Sequence, residues 1–203
     1  ANACQIMGRV LYELYKEIPF SLCSLNGGLK DNAIPRQAEA VIVCPEKWQS
    51  EINTKIAEIS AEIKHEFLET DPMILVEAKE TTLVEKELTM TKDSADKVIT
   101  ALLCLPGGIQ KMSFQMKGLV KTSLNLGIMK TQRDHVSLSF SVRSSVESEK
   151  RALLNRIICL TKTLGGTVTA NGDYPAWEYL EKSPLRDLMC RIFEEQYGRK
   201  PIV

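Results

Sequence analysis

The order of helical and strand patterns constrains this chain more than any single motif. Residues 3–79 read helix, strand, strand, helix, strand, and residues 92–172 read the same order again. Such an order defines an α+β fold of two ferredoxin-like αββαβ repeats, antiparallel in sheet, with the helices on one face. The first unit lacks its opening strand, so either the unit is degenerate or the chain begins inside a larger protein, and Ala1, almost at the start of a helix, favours the second expectation. Residues 173–203 stand apart from the repeat as a linker and a last helix.

The first repeat opens with Ile6, Met7, Val10, Leu11 and Leu14 at helical spacing, ended by Pro19. Strand patterns follow in PFSLCSL and IPRQAEAVIVCP, joined through Asn26-Gly27-Gly28. From Glu46 to Glu69 an apolar stripe of Trp48, Ile52, Ile56, Ile59, Ile63 and Phe67 predicts a long helix, and PMILVEA a short strand after it. The stretch TTLVEKELTM is ambiguous. The second repeat starts on a helix capped near Thr91 or Asp93 and closed by Pro106-Gly107-Gly108. IQKMSFQMKG reads as loop. KTSLNLGIMKTQ and HVSLSFSVRS read as paired strands, with Val136, Leu138, Phe140 and Val142 alternating. A helix with Leu153, Ile157, Leu160 and Leu164 ends at Gly165, TVTANG reads as a strand, and Pro184 suits the first turn of the final helix.

Charge narrows the partners. Lys plus Arg number 26 and Asp plus Glu 26, so the chain lacks the basic excess that phosphate neutralisation needs, and no nucleic-acid role is expected. No apolar run approaches the ~18 residues of a membrane span, so no membrane partner is expected. The six cysteines are scattered without a C-x-x-C, which reads as reduced, buried thiols of a cytosolic protein.

Few residues offer chemistry. His65 and His135 are the only histidines, outside any H-x-D or H-E-x-x-H, and both read as surface imidazoles. Glu194 and Glu195 are adjacent on a helix, about 100° apart, and read as a solvated face. Gly27-Gly28, Gly107-Gly108 and Gly165-Gly166 read as turns and helix ends, without a phosphate-cradling pattern. Two polar positions stand out. Asn32 lies in a donor-rich loop from Asn26 to Arg36, and Arg143 in the apolar and hydroxyl strand LSFSVRSS. As structure they read as a turn residue and a strand-end ion pair; as function, an amide and a guanidinium suit a peptide carbonyl or carboxylate.

LNGGLKDNAIPRQAEAVI, KTSLNLGIMKTQRDHVSLSFSVRSSVES and GDYPAWEYLEKSPL together resemble the aminoacyl-histidine (Xaa-His, cytosol non-specific) dipeptidases, among the co-catalytic zinc metallopeptidases. The resemblance covers nearly the whole chain and is weakest around residues 80–118. It implies a cytoplasmic, two-part enzyme. A catalytic domain holds two zinc ions, and an inserted lid or dimerisation domain closes over the dipeptide. Residues 1–172 resemble that lid, and residues 173–203 the first segment returning to the catalytic domain. Asn32 matches the family's substrate-contacting Asn of N-x-I-P, and Arg143 the strand arginine that grips the substrate carboxylate. The family's zinc ligands, its Glu-Glu pair and its lid histidine have no counterparts, so the chain alone is expected to bind no zinc and to be inactive. Its implied partners are a dipeptide substrate, the parent's own catalytic domain and a second lid in a homodimer. The alternative, on the repeat alone, is a stand-alone regulatory or assembly module binding a small ligand or a partner.

Overall fold

The computed structural model describes residues 1–81 and 88–202. The ambiguous stretch at 81–90 therefore lies mostly outside the described residues. Asn2 caps α1 (Ala3–Glu17) by accepting from the backbone N–H of Cys4 and Gln5, and Ile18 ends it. β1 (Ser21–Gly27) and β2 (Ala38–Val43) pair antiparallel. A 3-10 turn at Glu46–Trp48 leads into α2 (Gln49–Glu66), on which Ile52, Ile56, Ile59 and Ile63 are buried as the stripe predicts. The second half runs α3 (Lys92–Cys104), β3 (Gly108–Met112), β4 (Val120–Thr131), β5 (Val136–Ser144) and α4 (Glu147–Thr163). Thr91 is the cap of α3, its hydroxyl accepting from the N–H of Ser94. α5 (Pro184–Tyr197) follows, with Pro184 in its first turn.

The α+β class stands, with five described strands in a single antiparallel sheet rather than one sheet per repeat. β5 pairs along β4 from Thr131↔Val136 to Thr122↔Ser144. The opposite edge of β4 is shared: β3 takes its first half, and β1 pairs at Asn26↔Lys130 and Gly27↔Met129. Three expectations fail here. Neither Pro72–Ala78 nor Thr167–Gly172 forms a strand, so neither half closes as αββαβ. Gly108–Met112, read as loop, is a strand, because β4 offers it a ladder although its own side chains stay mostly exposed.

The helices α1 to α4 lie on one face of the sheet. α1 joins two apolar clusters: Cys4 and Leu11 meet Leu22, Leu25, Ile99, Leu102, Leu126 and Met129. Ile6, Val10, Leu14 and Ile18 instead interlock with the four isoleucines of α2. A third cluster sets Leu153 and Ile157 of α4 over Leu105 and Leu124, with Leu138, Phe140 and Val142 of β5 half-buried beside it. The two halves also hold each other reciprocally. The Asn2 side chain, before α1, donates to the Leu126 carbonyl of β4 at 3.0 Å. The Met90 N–H, before α3, donates to the Leu22 carbonyl of β1 at 2.7 Å. Like elements meet like, the arrangement of a two-fold contact, here within one chain.

One ion cluster ties α4 to the sheet. The buried Thr122 hydroxyl donates to Glu149 at 2.6 Å, while Lys121 and Lys111 approach the other carboxylate oxygen at 3.0 and 3.2 Å. The Thr122 and Lys121 hydrogen bonds hold the Glu149 carboxyl at about 2, below its usual 4.5. A depressed folded-state pKa adds stability that is fully present above the unfolded value and fades as pH falls from 4.5 toward 2. Glu149→Gln should therefore lower stability by about 1–2 kcal/mol at pH 7. Urea midpoints between pH 7 and pH 2.5 should converge with wild type at the acid end; parallel curves would contradict the linkage.

The thiols correct the sequence reading. Cys4 and Cys23 are buried, and burial pushes the Cys4 thiol up to about 11, but Cys44 and Cys190 are half-buried and Cys104 and Cys159 exposed. The latter two lie on the outer sides of α3 and α4, where helical spacing places a residue next to the apolar stripe but outside it.

Candidate functional site

The helix-free face of the sheet is polar where β4 meets β5. Thr122, Leu124 and Leu126 face the helices, so Ser123 and Asn125 point the other way, as do Ser139, Ser141 and Arg143 on β5. Arg143 is exposed, directly opposite Ser123. It has no ion-pair partner among the described residues, which removes the strand-end ion pair as its explanation.

Asn32 reaches the same face through its loop. It lies in a turn closed by the Ala33 N–H donating to the Lys30 carbonyl at 3.3 Å, so the turn reading is right as far as it goes. That turn is pinned to β4: the Asn125 amide donates to the Ala33 carbonyl at 2.7 Å and the Asp31 carbonyl at 3.4 Å. Asn125 is held in turn by the Asn2 amide, which donates to its Oδ1 at 2.9 Å. Two glycines permit the approach. A Cβ on Gly127 would come within 2.2 Å of the Asp31 carbonyl oxygen. Gly28 turns with φ +73°, a left-handed conformation that glycine alone adopts without cost. Asn125 pairs with Ser141, so Arg143 is its diagonal neighbour, roughly 7–8 Å away across the strands. The fold thus brings the Asn32 loop and Arg143, 111 residues apart in sequence, to one patch.

Both residues line an open concavity of about 1500 Å³ that runs along β5 and beneath α4. Its polar side carries Ser137, Ser139, Arg143 and the Lys30–Asn32 stretch of the turn, and its inner side is apolar. Arg151 lines it too, and like Arg143 has no ion-pair partner among the described residues. An uncompensated guanidinium beside an amide-bearing turn suits a carboxylate next to a peptide carbonyl. Sequence reasoning missed Asn125; its signal is a polar amide two residues before a glycine within an otherwise apolar and hydroxyl strand.

Of the other candidates, His135 lines the same concavity, and His65, Glu194 and Glu195 do not. His65 is exposed on the last turn of α2. His135 Nδ1 lies 2.7 Å from Asp134 at the hairpin. Glu194 and Glu195 are exposed on α5. Among the described residues, no group of three His, Cys, Asp or Glu side chains could hold a metal ion. The donor set here does not fit zinc.

Residues 1–71, which build α1, β1, β2 and α2, match the family described as Peptidase dimerisation domain. The whole chain is similar to two dipeptidases. It is 27% identical over 200 residues to the Cytosol non-specific dipeptidase of Escherichia coli (strain K12), covering 98% of this chain and 41% of that protein. It superposes on the crystal structure of aminoacylhistidine dipeptidase from Vibrio alginolyticus with a TM-score of 0.87 and 26% identity, covering 99% of this chain and 41% of the other. The likeness read from the loop and strand motifs therefore holds: the chain resembles the lid or dimerisation domain of aminoacyl-histidine dipeptidase. It spans about two fifths of the length of these relatives.

Proposed function

We propose that this chain is the lid and dimerisation part of a zinc-dependent, cytoplasmic dipeptidase, hydrolysing Xaa-His and other dipeptides in the context of a longer polypeptide. The observation that carries this reading is the single patch formed by Arg143 and the Asn125-pinned Asn32 turn. Arg143 takes the substrate carboxylate in a charge-assisted, two-pronged contact, and Asn32 donates to the peptide carbonyl. Together they fix the dipeptide relative to the reacting groups, which belong to the catalytic part. The two zinc ions belong there as well, since the described residues here do not fit them. Residues 1–172 form the lid, and residues 173–203 lead away from it. No α5 side chain is buried, and Leu185, Met189 and Tyr197 are exposed, as a helix awaiting the catalytic domain requires. A homodimer through the lid follows from the dimerisation-domain match of residues 1–71.

Arg143→Ala in the parent-length enzyme tests the reading. Turnover of β-alanyl-histidine should fall roughly 100-fold in kcat/KM, the loss of one charged contact of about 2–3 kcal/mol. Bound zinc and thermal midpoint should stay unchanged. Loss of metal or of fold alongside activity would assign Arg143 a structural role instead. The 203-residue chain alone should turn over nothing, with or without added zinc.

A further inference from the structure

The turn that carries Asn32 is held from outside. The Asn32 side chain is exposed and makes no hydrogen bond among the described residues, so it sits wherever its backbone puts it. That backbone is gripped by the Asn125 amide, at the Ala33 and Asp31 carbonyls. The two ends of a primary amide are alike in shape and opposite in polarity. Asn125 therefore serves the turn only while its nitrogen, and not its oxygen, faces it.

Asn2 decides which end that is, and the start of α1 decides Asn2. The first backbone N–H groups of a helix have no partner within the helix and need an acceptor. Asn2 Oδ1 accepts from two of them, Cys4 at 3.0 Å and Gln5 at 3.2 Å. Its Nδ2 is thereby turned to the sheet, where it donates to the Leu126 carbonyl at 3.0 Å and to Asn125 Oδ1 at 2.9 Å. With its oxygen so engaged, Asn125 presents its own Nδ2 to the Ala33 carbonyl at 2.7 Å. Turning either amide over would set donor against donor at one end and oxygen against oxygen at the other. Both residues are half-buried, which limits the water available to compensate. The polarity of this relay has one solution. It runs from α1 in the first half of the molecule, through β4 in the second, and back to a turn of the first. A second tether takes a shorter path, the Ala3 N–H donating to the Pro35 carbonyl at the far end of the same loop.

We propose that Asn2, which does not line the concavity, is a positioning residue of the dipeptide site, acting through Asn125 on the turn that presents Asn32. The proposal rests on the reading of this chain as a dipeptidase lid whose Asn32 donates to the substrate's peptide carbonyl. That oxygen gains charge as the carbonyl is attacked, so a donor held ready for it favours the transition state over the bound substrate. Loosening the relay therefore lowers kcat more than it raises KM. The relay also makes the site depend on the packing of the two halves, because Asn2 reaches Asn125 only while α1 sits on β4.

Asn2→Asp separates this role from capping. Aspartate caps a helix as well as asparagine does, but it has no hydrogen for the sheet, and its second oxygen draws the Asn125 nitrogen away from the turn. In this chain, the Asn125 side-chain amide hydrogens should show nuclear Overhauser contacts to residues 31–33 and lose them in Asn2→Asp. Amide exchange at Cys4 and Gln5 should stay within about twofold, because the cap remains. In the parent-length enzyme, kcat for β-alanyl-histidine should fall about tenfold with KM within about twofold. In an Asn125→Ala background, where the relay is already cut, Asn2→Asp should add less than about twofold. Should Asn2→Asp unfold the chain, Asn2→Ser, which caps without setting a charge against Asn125, takes its place with an expected drop of about threefold. Unchanged Asn125 contacts, or the same drop in both backgrounds, overturns the relay. An active parent damaged by Arg143→Ala but not by Asn2→Asp overturns the relay alone. A parent-length enzyme that hydrolyses no dipeptide overturns the dipeptidase reading, and the Asn125 contacts then decide the relay by themselves.

Discussion

Gly8→Leu should cost this chain at least about 3 kcal/mol and separate its two halves. Gly8 lies on the side of α1 that faces α3, where a Cβ would sit 2.7 Å from Leu102 Cβ and 3.1 Å from the Leu102 carbonyl carbon. Leu102 is itself 4% exposed, within the cluster shared by α1, α3, β1 and β4. A leucine at position 8 gains about 1 kcal/mol in helix propensity. Against that stands the insertion of a four-carbon side chain into a closed interface, which typically costs 1–3 kcal/mol and more where backbone must move. Backbone must move here, because two of the three nearest atoms belong to the Leu102 main chain. Urea denaturation should show a midpoint lowered well beyond that of Gly8→Ala, with the hydrogen bonds at Asn2 and Met90 exchanging early. A midpoint within experimental error of wild type would mean that α1 and α3 do not meet this way.

The parts of this arrangement that local chemistry dictates were legible in the sequence. The isoleucine stripe of α2 buries as spaced, Thr91 caps α3, and Gly165 follows α4 with φ +79°. Each is decided within a few residues. The failures in secondary structure are all ladders. Pro72–Ala78 and Thr167–Gly172 have strand composition, but a strand exists only against a partner, and none of the described residues supplies one. The opposite error occurs at Gly108–Met112, where Ile109 and Met112 stay exposed and leave no alternation to read, yet β4 provides the pairing. The candidate site followed the same rule. Arg143 and Asn32 were visible as polar residues in unexpected surroundings. Their meeting depends on the β4–β5 register and on Asn125, which only the folded sheet defines.

That dependence makes Gly127 the residue whose replacement should hurt the site most while sparing the core. Gly127 sits at the irregularity between Leu126 and Ile128, where β4 slips one residue against β5. A Cβ there would meet the Asp31 backbone at 2.2–2.5 Å, so valine excludes the Asn32 turn from its seat. The turn cannot retreat cheaply. Gly28 already approaches the Gly127 carbonyl, and the Pro35 carbonyl accepts from the Ala3 N–H at 3.1 Å, anchoring the loop at its far end. Gly127→Val therefore breaks the Asn125 contacts to Asp31 and Ala33 and moves Asn32 away from Arg143. Burial of the Leu124, Leu126 and Met129 side chains, which face the helices, is left in place. Destabilisation should be about 1–3 kcal/mol, because the strain falls on an exposed loop rather than on the core. In the parent-length enzyme the loss of dipeptide turnover should equal or exceed that of Arg143→Ala, since a displaced turn forfeits the carbonyl contact proposed for Asn32 and the alignment that contact would provide. The double variant with Arg143→Ala should then lose little more than either alone, because both changes fall on the one patch proposed to hold substrate. Fully additive losses in kcat/KM would show that the Asn32 turn and Arg143 hold different molecules, or different ends of the same one too far apart to share a patch.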